Sequence, residues 1–437
     1  MSKIVLYLSS IISLRFLGLF IVLPILSIYA IDLKNSNEFL VGLAIGGYAL
    51  TQMIFQVPFG ILSDKIGRKT SIVFGLALFL IGSIICAVSD DIYIFLFGRF
   101  LQGSGAIGAV VSAMISDFTT EEQRSKAMAM MGGSIALSFA LAMLLGPLIG
   151  GYFGVDKLFF ITAFLVFVAI LILVLKIPEP PKVQHTQESV KITTLLQDKN
   201  LAIMNVTNFL QKGLMTLTFL IVPIMFINEF GWEKTELIKV YLPALILGVI
   251  AMAPSAILAE KKGKFKDILI LGIALFATAY FIIGFNSNEY VFVVGVAVFF
   301  IAFNIHEPIM QSLTSKLAKA SQKGTALGIF NSFGYLGTFL GGVFGSYFIK
   351  NQDLQSLSTL IILISSLWVM LIVKMENPAN RKNLYIDLAL LNETNISNLN
   401  NLEGIIESFK NEKTLTVKYN IKSIDEDRIK EVLEIKG

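Results

Sequence analysis

Twelve long apolar runs divide residues 1–374, and they constrain the fold more than any other feature of the chain. About 20 apolar residues in a helix cross the hydrocarbon core of a bilayer, where every backbone N–H and C=O must be bonded within its own segment. The sequence therefore predicts an all-α membrane protein with twelve transmembrane helices. Their approximate extents are 4–30, 40–62, 71–88, 92–117, 126–153, 157–176, 201–228, 237–259, 267–286, 290–317, 325–349 and 354–374.

The composition agrees with a chain that is solvated by lipid over most of its length. Hydrophobic residues make up 55% and charged residues only 15%, whereas soluble domains carry about 25% charged residues. The net charge of +4 is not a signal for nucleic acid. The single cysteine, Cys86, excludes an internal disulfide framework, and we expect no metal site. Because no nucleophile–base motif and no phosphate loop is found, we do not expect an enzyme.

Two stretches of the first half of the chain are repeated in the second half. Residues 60–69, which follow one apolar run, are echoed by 254–264, and residues 146–153 are echoed by 341–348. Two hydrophobic halves with matching charged loops are typical of transporters whose site lies between the repeats. We therefore divide the chain into an N-terminal six-helix half at 1–176, a cytoplasmic linker at 177–200, a C-terminal six-helix half at 201–375 and a tail at 378–437.

The loops on one side of the predicted bundle are basic, and those on the other side are acidic. By the positive-inside rule the basic loops are cytoplasmic, so we expect a multi-pass protein of the cytoplasmic (inner) membrane with both termini in the cytoplasm. The basic set is Lys65, Arg68, Lys69, Arg124, Lys126, Lys261, Lys262, Lys264, Lys266, Lys316, Lys319 and Lys323.

The polar tail predicts a small folded module. Its strand-like runs are 384–388 and 415–419, and its helix-like runs are 402–409 and 425–435. This β-α-β-α order indicates a cytoplasmic α+β module, ferredoxin-like but truncated, because a helix at 402–410 leaves no room for a further strand before the next one. About sixty residues are marginal for an independent fold, so we expect the module to dock on a partner surface.

Three short motifs lie in or beside the predicted spans: Gly60-x-Leu62-x-Asp64-x-x-Gly67-Arg68-Lys69 after the second helix, Arg99-x-x-Gln102-Gly103-x-Gly105-Ala106 in the fourth and Gly146-Pro147-x-x-Gly150-Gly151 in the fifth. They resemble signatures of the major facilitator superfamily, and the motif in the fifth helix resembles that of its antiporters, chiefly the drug:proton group. The runs at 14–24 and 303–307, together with the appended module, are similar to the YajR-type branch of that group.

The resemblance implies roles for two of these motifs. Asp64, Arg68 and Asp117, with Gly60 and Gly67, would form an interdomain latch that favours the outward-facing state; the alternative is a solvated turn. We also expect Asp64 to begin a helix, where a carboxylate caps free N–H groups. The antiporter motif would supply close but rearrangeable helix contacts, or else only static packing. Its residues are Gly146, Pro147, Gly150 and Gly151.

Five ionisable residues lie inside predicted spans, namely Arg15, Arg99, Lys212, His306 and Glu307. Charges at membrane depth are costly and usually face a cavity or a partner. Glu307 is the only acid deep in a span, so we predict that it carries the coupled proton; a permanent ion pair with Arg15 or Lys212 is the alternative. We also predict that Arg15, Lys212, His306 and Arg99 take part in proton coupling, a role that the resemblance implies for the motif of Arg99. For His306 the alternative is a hydrogen bond within the bundle, and for Arg99 it is a bond to a backbone carbonyl.

Aromatic side chains complete the predicted site. On helices that line the central cavity in this superfamily they would suit amphipathic, hydrophobic substrates. The sequence thus predicts a monomeric secondary transporter in contact with membrane lipid, which exports hydrophobic or cationic small molecules in exchange for protons. It needs no cofactor beyond the proton gradient and binds no nucleic acid. A permease for a specific metabolite and a transporter-like sensor are the alternatives. The predicted cavity residues are Tyr29, Tyr48, Phe55, Phe219, Phe226, Phe303, Phe330, Phe333 and Tyr335.

Overall fold

The computed structural model describes residues 3–119, 121–180, 192–319, 322–351, 353–388, 399, 402–410 and 414–433. Within them lie twelve helices that are long and apolar enough to cross a membrane, which confirms the predicted count. They are α1 Lys3–Ile31, α2 Glu38–Ile66, α3 Arg68–Val88, α4 Ile92–Asp117, α5 Lys126–Phe153, α6 Val155–Lys176, α7 Lys199–Glu229, α8 Lys234–Lys262, α9 Phe265–Gly284, α10 Glu289–Leu317, α11 Lys323–Phe348 and α12 Leu354–Lys374.

Four of these helices are irregular in their interiors or at their ends, and in α8 the irregular part is an initial 3₁₀ turn, Lys234–Leu237. In α1 the regular helix ends at Phe20, and a 3₁₀ turn with Pro24 follows, since proline lacks the N–H that continues the helical ladder. In α4 the helix stops after Ser104 and resumes at Gly108. The last turn of α7, Met225–Glu229, is a π-helix. Freed carbonyls at such breaks can accept bonds from side chains.

The predicted start of a helix at Asp64 is wrong. Helix α2 runs through to Ile66, so Asp64 lies in its last turn and cannot cap free N–H groups. The helix ends because Gly67 adopts φ +98°, a backbone conformation that only glycine reaches without strain. The next helix starts at Arg68, and the N–H of Lys69 is bonded instead by the Glu179 carboxylate, at 3.3 Å.

The two halves repeat one packing scheme. In the first half an added Cβ at Gly146 of α5 would overlap the carbonyl of Ile21 in α1, and in the second half Gly341 of α11 is equally close to Gly213 of α7. The loops α2–α3 and α8–α9 both turn on a glycine of positive φ, Gly67 at +98° and Gly263 at +67°. The sequence repeat is therefore also a structural repeat.

The halves meet at one end of the bundle and diverge at the other. We call the end that holds loops α2–α3 and α8–α9 the basic end, and the opposite end the acidic end. Toward the acidic end, Gly42 of α2 lies against the carbonyl of Gly342 in α11, and Gly151 of α5 lies against Thr235 of α8. Toward the basic end, an added Cβ would meet nothing within 4 Å at Gly60, Gly132, Gly133, Gly324 or Gly328. The central space thus opens toward the basic end.

The tail forms a three-stranded antiparallel sheet in the described residues, with strands β1 Arg381–Asp387, β2 Ile405–Lys410 and β3 Thr414–Asn420 in the order β1-β3-β2, and a helix α13 Glu426–Val432. The predicted strands at 384–388 and 415–419 are confirmed. The predicted helix at 402–409 is wrong, because most of that run is strand β2, which pairs with β3. The predicted helix at 425–435 is present as α13, and its residues 434 and 435 lie outside the described residues.

This correction removes the reason to regard the module as truncated. Strands β1 and β2 are both antiparallel to β3, which lies between them, so they run parallel to each other. Parallel strands need a crossover connection, and two parallel strands with a third between them form the split β-α-β unit of ferredoxin-like folds. Ile386, Val417 and Ile429 join the sheet and α13 in one apolar core.

Candidate transport site between the two halves

An ion pair between Lys212 and Glu307 lies in the C-terminal half. Lys212 Nζ of α7 is 3.0 and 2.9 Å from the two carboxylate oxygens of Glu307 on α10, and Gln211 Nε2 donates to the same carboxylate at 3.2 Å. Lys212 Nζ also lies 4.9 Å from the centre of the Phe303 ring. The side chains of Lys212 and Glu307 are 23% and 35% exposed, so the pair is only partly enclosed by the protein. Of the two partners that the sequence allowed, the structure selects Lys212.

Arg99 is fully buried in the N-terminal half. Its Nε donates to the carbonyl of Ala44 at 2.9 Å and its Nη1 to Gln102 Oε1 at 2.6 Å, while its guanidinium lies 4.9 Å from the Tyr48 ring centre. Gln102 in turn donates to Ser83 at 2.8 Å. These contacts agree with the carbonyl-holding alternative. A role for Arg99 in proton coupling stays a prediction.

Arg15 is fully buried in the same half. Its Nη2 donates to the carbonyl of Gly105, at the break in α4, at 3.0 Å and to Gln52 Oε1 at 3.3 Å. The rings of Phe16 and Phe79 flank it at 5.4 and 5.0 Å. Its Nε and Nη1 have no hydrogen-bond partner among the described residues. The structure therefore separates Arg15 from Glu307.

His306 lies away from the ion pair, although it precedes Glu307 by one residue. Neighbours in a helix point about 100° apart, and His306 is turned into the packing of α10 against α9 and α12. One ring nitrogen, Nε2, is 2.9 Å from the carbonyl of Leu269, and the rings of Phe276 and Trp368 lie at 5.6 and 5.7 Å. The hydrogen-bonded alternative describes this geometry, and a role in proton coupling stays a prediction.

A cluster of aromatic rings lies where the two halves face each other. Phe139 of α5 stands 6.2 Å from Phe219 of α7 and 6.1 Å from Phe303 of α10. Phe219 and Tyr48 also line a small space between the halves. Sequence reasoning missed Phe139, since nothing distinguishes it from the other phenylalanines in the spans. The cluster places apolar ring surface close to the Lys212–Glu307 pair.

The other predicted cavity residues are dispersed. Tyr335 of α11 accepts a hydrogen bond from Gln52 of α2, and Phe55, 40% exposed, follows Tyr48 by two turns on the same face of α2. Phe333 is half-buried on α11. Three further residues pack inside their own half. Tyr29 contacts Phe95 in the N-terminal half. In the C-terminal half Phe226 packs among Phe230, Trp232 and Phe292, and Phe330 is buried on α11.

The predicted latch residues are clustered within the N-terminal half. Arg68 of α3 contacts Asp64 of α2 at 2.6 Å and Asp117 of α4 at 3.2 Å. Gly60 accepts a bond from Ser63 through its carbonyl and otherwise faces open space. With the basic end open, the contacts of Arg68 with Asp64 and Asp117 lie within one half. An interdomain role therefore requires the opposite conformation and stays a prediction.

The residues of the antiporter motif pack closely at the acidic end. Gly146 and Gly150 of α5 press against Ile21 and Ile25 at the break in α1, and Gly151 reaches Thr235 of the other half. Pro147 stands inside the helix. The predicted close contact is thus present both within one half and across the halves.

Comparison with known proteins gives consistent matches. A profile described as Major Facilitator Superfamily matches residues 8–342 and 201–386. The chain is 37% identical over 386 residues to the inner membrane transport protein YajR of Escherichia coli, covering 87% of this chain and 85% of that protein. It is 26% identical to the class B tetracycline resistance protein of Escherichia coli, covering 77% and 87%.

Solved structures share the fold at low sequence identity. A D-xylose-proton symporter superposes with a TM-score of 0.71 at 15% identity, covering 86% of this chain and 99% of the other. An inward-facing, occupied bacterial homolog of the human lysosomal transporter Spinster gives 0.71 at 14% identity, covering 86% and 97%.

Proposed function

The chain belongs to the Major Facilitator Superfamily and is a multi-pass membrane transporter, and from that premise we propose that it exports hydrophobic or cationic small molecules in exchange for protons. Alternating access in such folds is rocking of one half against the other around a site between them. The basic end is the cytoplasmic side of the inner membrane in this proposal, by the positive-inside rule. Both chain termini are then cytoplasmic.

The Lys212–Glu307 pair is the observation that carries the proposal. Glu307 can be neutralised by a proton, which turns the carboxylate into a hydroxyl donor and releases Lys212 from the ion pair. A solute that binds beside Phe303 and favours the ionised carboxylate would expel that proton. Proton and solute then exclude each other from one site, and this is what exchange requires. The tetracycline and multidrug resistance proteins among the relatives, at 26% and 24% identity, give weaker support.

The charge balance favours one second candidate, a permease for a specific metabolite that carries an acidic group. In the part of the chain that the structure describes, the middle of the bundle holds three cations, Arg15, Arg99 and Lys212, and one acid, Glu307. An acidic solute could replace Glu307 as the partner of Lys212, and the displaced carboxylate would then take up a proton. Proton and solute would bind together, so transport would be symport instead of exchange.

Transport by purified protein in proteoliposomes tests both candidates. Ethidium, a hydrophobic cation, and salicylate, an aromatic carboxylate, serve as probes, with and without a pH gradient. We expect Glu307→Gln to abolish uphill ethidium transport and its pH dependence while the protein still inserts and folds. Glu229→Gln, an exposed acid at the end of α7, is the control and should transport normally.

Two results would decide against proton exchange at Glu307. One is undiminished uphill transport with an unchanged pH dependence in Glu307→Gln. The other is salicylate accumulation in the direction of the proton gradient, lost in Glu307→Gln, without any ethidium flux; that result would establish the second candidate.

A further inference from the structure

Gln52 of α2 connects a buried cation of one half to a hydroxyl of the other half. Its Oε1 accepts from Arg15 Nη2 at 3.3 Å, and its Nε2 lies 2.8 Å from the hydroxyl oxygen of Tyr335 on α11. Other polar contacts between the halves in the described residues are longer, such as Tyr241 Oη to the Pro24 carbonyl at 3.5 Å and Lys234 Nζ to Asp32 Oδ2 at 4.0 Å. Gln52 therefore makes a short polar contact where the two halves meet.

The chemistry of its neighbours fixes the direction of the Gln52 amide. An arginine side chain has only donors, so the amide oxygen must face Arg15 and the NH₂ group must face Tyr335. The tyrosine oxygen is then the acceptor. In the reversed orientation the NH₂ group of Gln52 would face the guanidinium, and Nη2 of Arg15 would lose Gln52 as an acceptor. Nε and Nη1 of Arg15 already have no acceptor among the described residues. Arg15 thus fixes the orientation in which the NH₂ group of Gln52 donates to Tyr335 on α11.

The contact stands at the boundary between the closed and the open parts of the interface. On its acidic side α2 and α11 cross at very short range, with Gly42 against Gly342 and Gly46 against Phe339. On its basic side the helices separate, and an added Cβ at Gly328 of α11 would meet no atom within 4 Å. Rocking of the halves must therefore change the distance between Gln52 and Tyr335 more than the distances within either half.

We propose that Arg15, Gln52 and Tyr335 form an interdomain bridge that stabilises the conformation open at the basic end. When the halves rock to close that end, the bridge breaks and the Gln52 NH₂ group, which is buried in the present conformation, loses its acceptor. An unmade hydrogen bond in such a place disfavours the conformation that lacks it. The three are positioning residues of the transport cycle, and their role is independent of which solute is carried.

Removal of the tyrosine hydroxyl is the direct test. Spin labels at Lys126→Cys of α5 and Lys262→Cys of α8, both exposed at the basic end, report the open and closed populations by double electron–electron resonance. We expect Tyr335→Phe to lower the ratio of open to closed molecules about two- to tenfold, the effect of one net hydrogen bond. Tyr280→Phe is the matched control, because its buried hydroxyl lies 3.0 Å from Thr218 within one half. That variant should leave the ratio unchanged.

A second variant makes the direction of the shift decisive. Gln52→Glu places a carboxylate beside Arg15 that can also accept from the hydroxyl of Tyr335, so both contacts become charge-assisted and stronger. We expect the open fraction to rise, and to rise less when Tyr335→Phe is added. An unchanged ratio in Tyr335→Phe would overturn the bridge, as would equal shifts in Tyr335→Phe and Tyr280→Phe. A lower open fraction in Gln52→Glu would do the same.

Discussion

The two halves share a packing scheme but bury charge in different ways. In the N-terminal half Arg15 and Arg99 are fully buried and are held by carbonyls, amides and ring faces. In the C-terminal half Lys212 pairs with Glu307, and both are partly exposed. Arginine does not lose its proton in proteins, whereas a carboxylate can gain one. Under the proposed function, the fixed charges therefore lie in one half and the charge that a proton would switch lies in the other.

The basic ends of the halves show a related contrast. In the first half Arg68 of α3 contacts Asp117 of α4, and in the second half Glu260 of α8 contacts Ser312 and Lys316 of α10. The loop charges keep their signs in the repeat, since Asp64 corresponds to Glu260 and Arg68 to Lys264. The partner differs, because α4 offers an acid, Asp117, and α10 a base, Lys316, so a different loop residue makes the contact in each half. Helix α10 therefore carries both the switchable acid, Glu307, and the contacts of its own basic end.

The largest effect that we expect is a loss of protein stability when a buried charge of the N-terminal half is removed. Arg99→Ala removes the donors to Ala44 and Gln102 and leaves a cavity, so it should destabilise the protein by about 2–4 kcal/mol. Lys212→Ala should cost clearly less, because Glu307 can be solvated or protonated in the open space. Thermal unfolding in detergent measures both. A larger loss in Lys212→Ala than in Arg99→Ala would show that the fixed and switchable assignments are reversed.

The sequence predicted the parts of this contrast that depend on local hydropathy. The twelve spans and the ionisable residues within them can be read from the chain, because lipid makes apolar length and buried charge unmistakable. The pairing could not be read, since Lys212 and Glu307 are brought together only by the packing of α7 on α10. Two amides were missed, although polar residues inside spans are themselves a signal: Gln52 bonds Arg15 and Gln211 bonds Glu307. Gln102, which belongs to the fourth-helix motif, bonds Arg99.

The failed predictions lie where tertiary structure overrides local preference. Asp64 looked like a helix start, but the helix continues until Gly67 allows the turn. Residues 402–409 looked helical, yet Ile405 and Phe409 lie in a strand whose partner, β3, follows it in the chain. A short amphipathic run fits either structure, and strand pairing decides between them.

The next largest effect that we expect is a change in the ratio of open to closed molecules when the contacts of Arg68 at the basic end are removed. The Asp117 side chain is 7% exposed and that of Asp64 is 65% exposed. If the cluster favours the conformation closed at the basic end, Asp117→Asn should raise the ratio of open to closed molecules about tenfold. Asp64→Asn should change it by less than about fivefold, since exposed pairs contribute about 0–1 kcal/mol.

The spin labels at positions 126 and 262 measure this ratio as well. Asp156→Asn, which removes the exposed pair with Lys157 at the acidic end, is the control. Identical distance distributions in Asp117→Asn and the unaltered protein would refute the latch. A larger shift in Asp64→Asn than in Asp117→Asn would show that Arg68 makes its main latch contact with Asp64 and not with Asp117.

The smallest effect on transport is expected from the tail, which docks on the end of α10. Arg381 of β1 donates to the carbonyl of Leu317 and Lys418 of β3 to that of Ala318, each at 2.8 Å. The last carbonyls of a helix lack partners within it and attract cations. Burial lowers the pKa of Lys418, and the nearby carboxylate of Glu407 opposes that shift. The two cations thus form a buried clamp on the helix that carries Glu307.

Deleting residues 380–437 should leave a transport-competent protein, because the twelve spans and the Lys212–Glu307 pair precede the tail. Releasing the clamp with Arg381→Met and Lys418→Met together should speed hydrogen–deuterium exchange in β1 and β3 and change the transport rate by no more than about twofold, since such contacts contribute about 1–3 kcal/mol to docking. Arg428→Met is the control, as its partner Glu431 lies on the exposed side of α13. If the truncated protein inserts normally and transports nothing, the contacts of the tail with the end of α10 are required for transport, and the tail acts together with the C-terminal half.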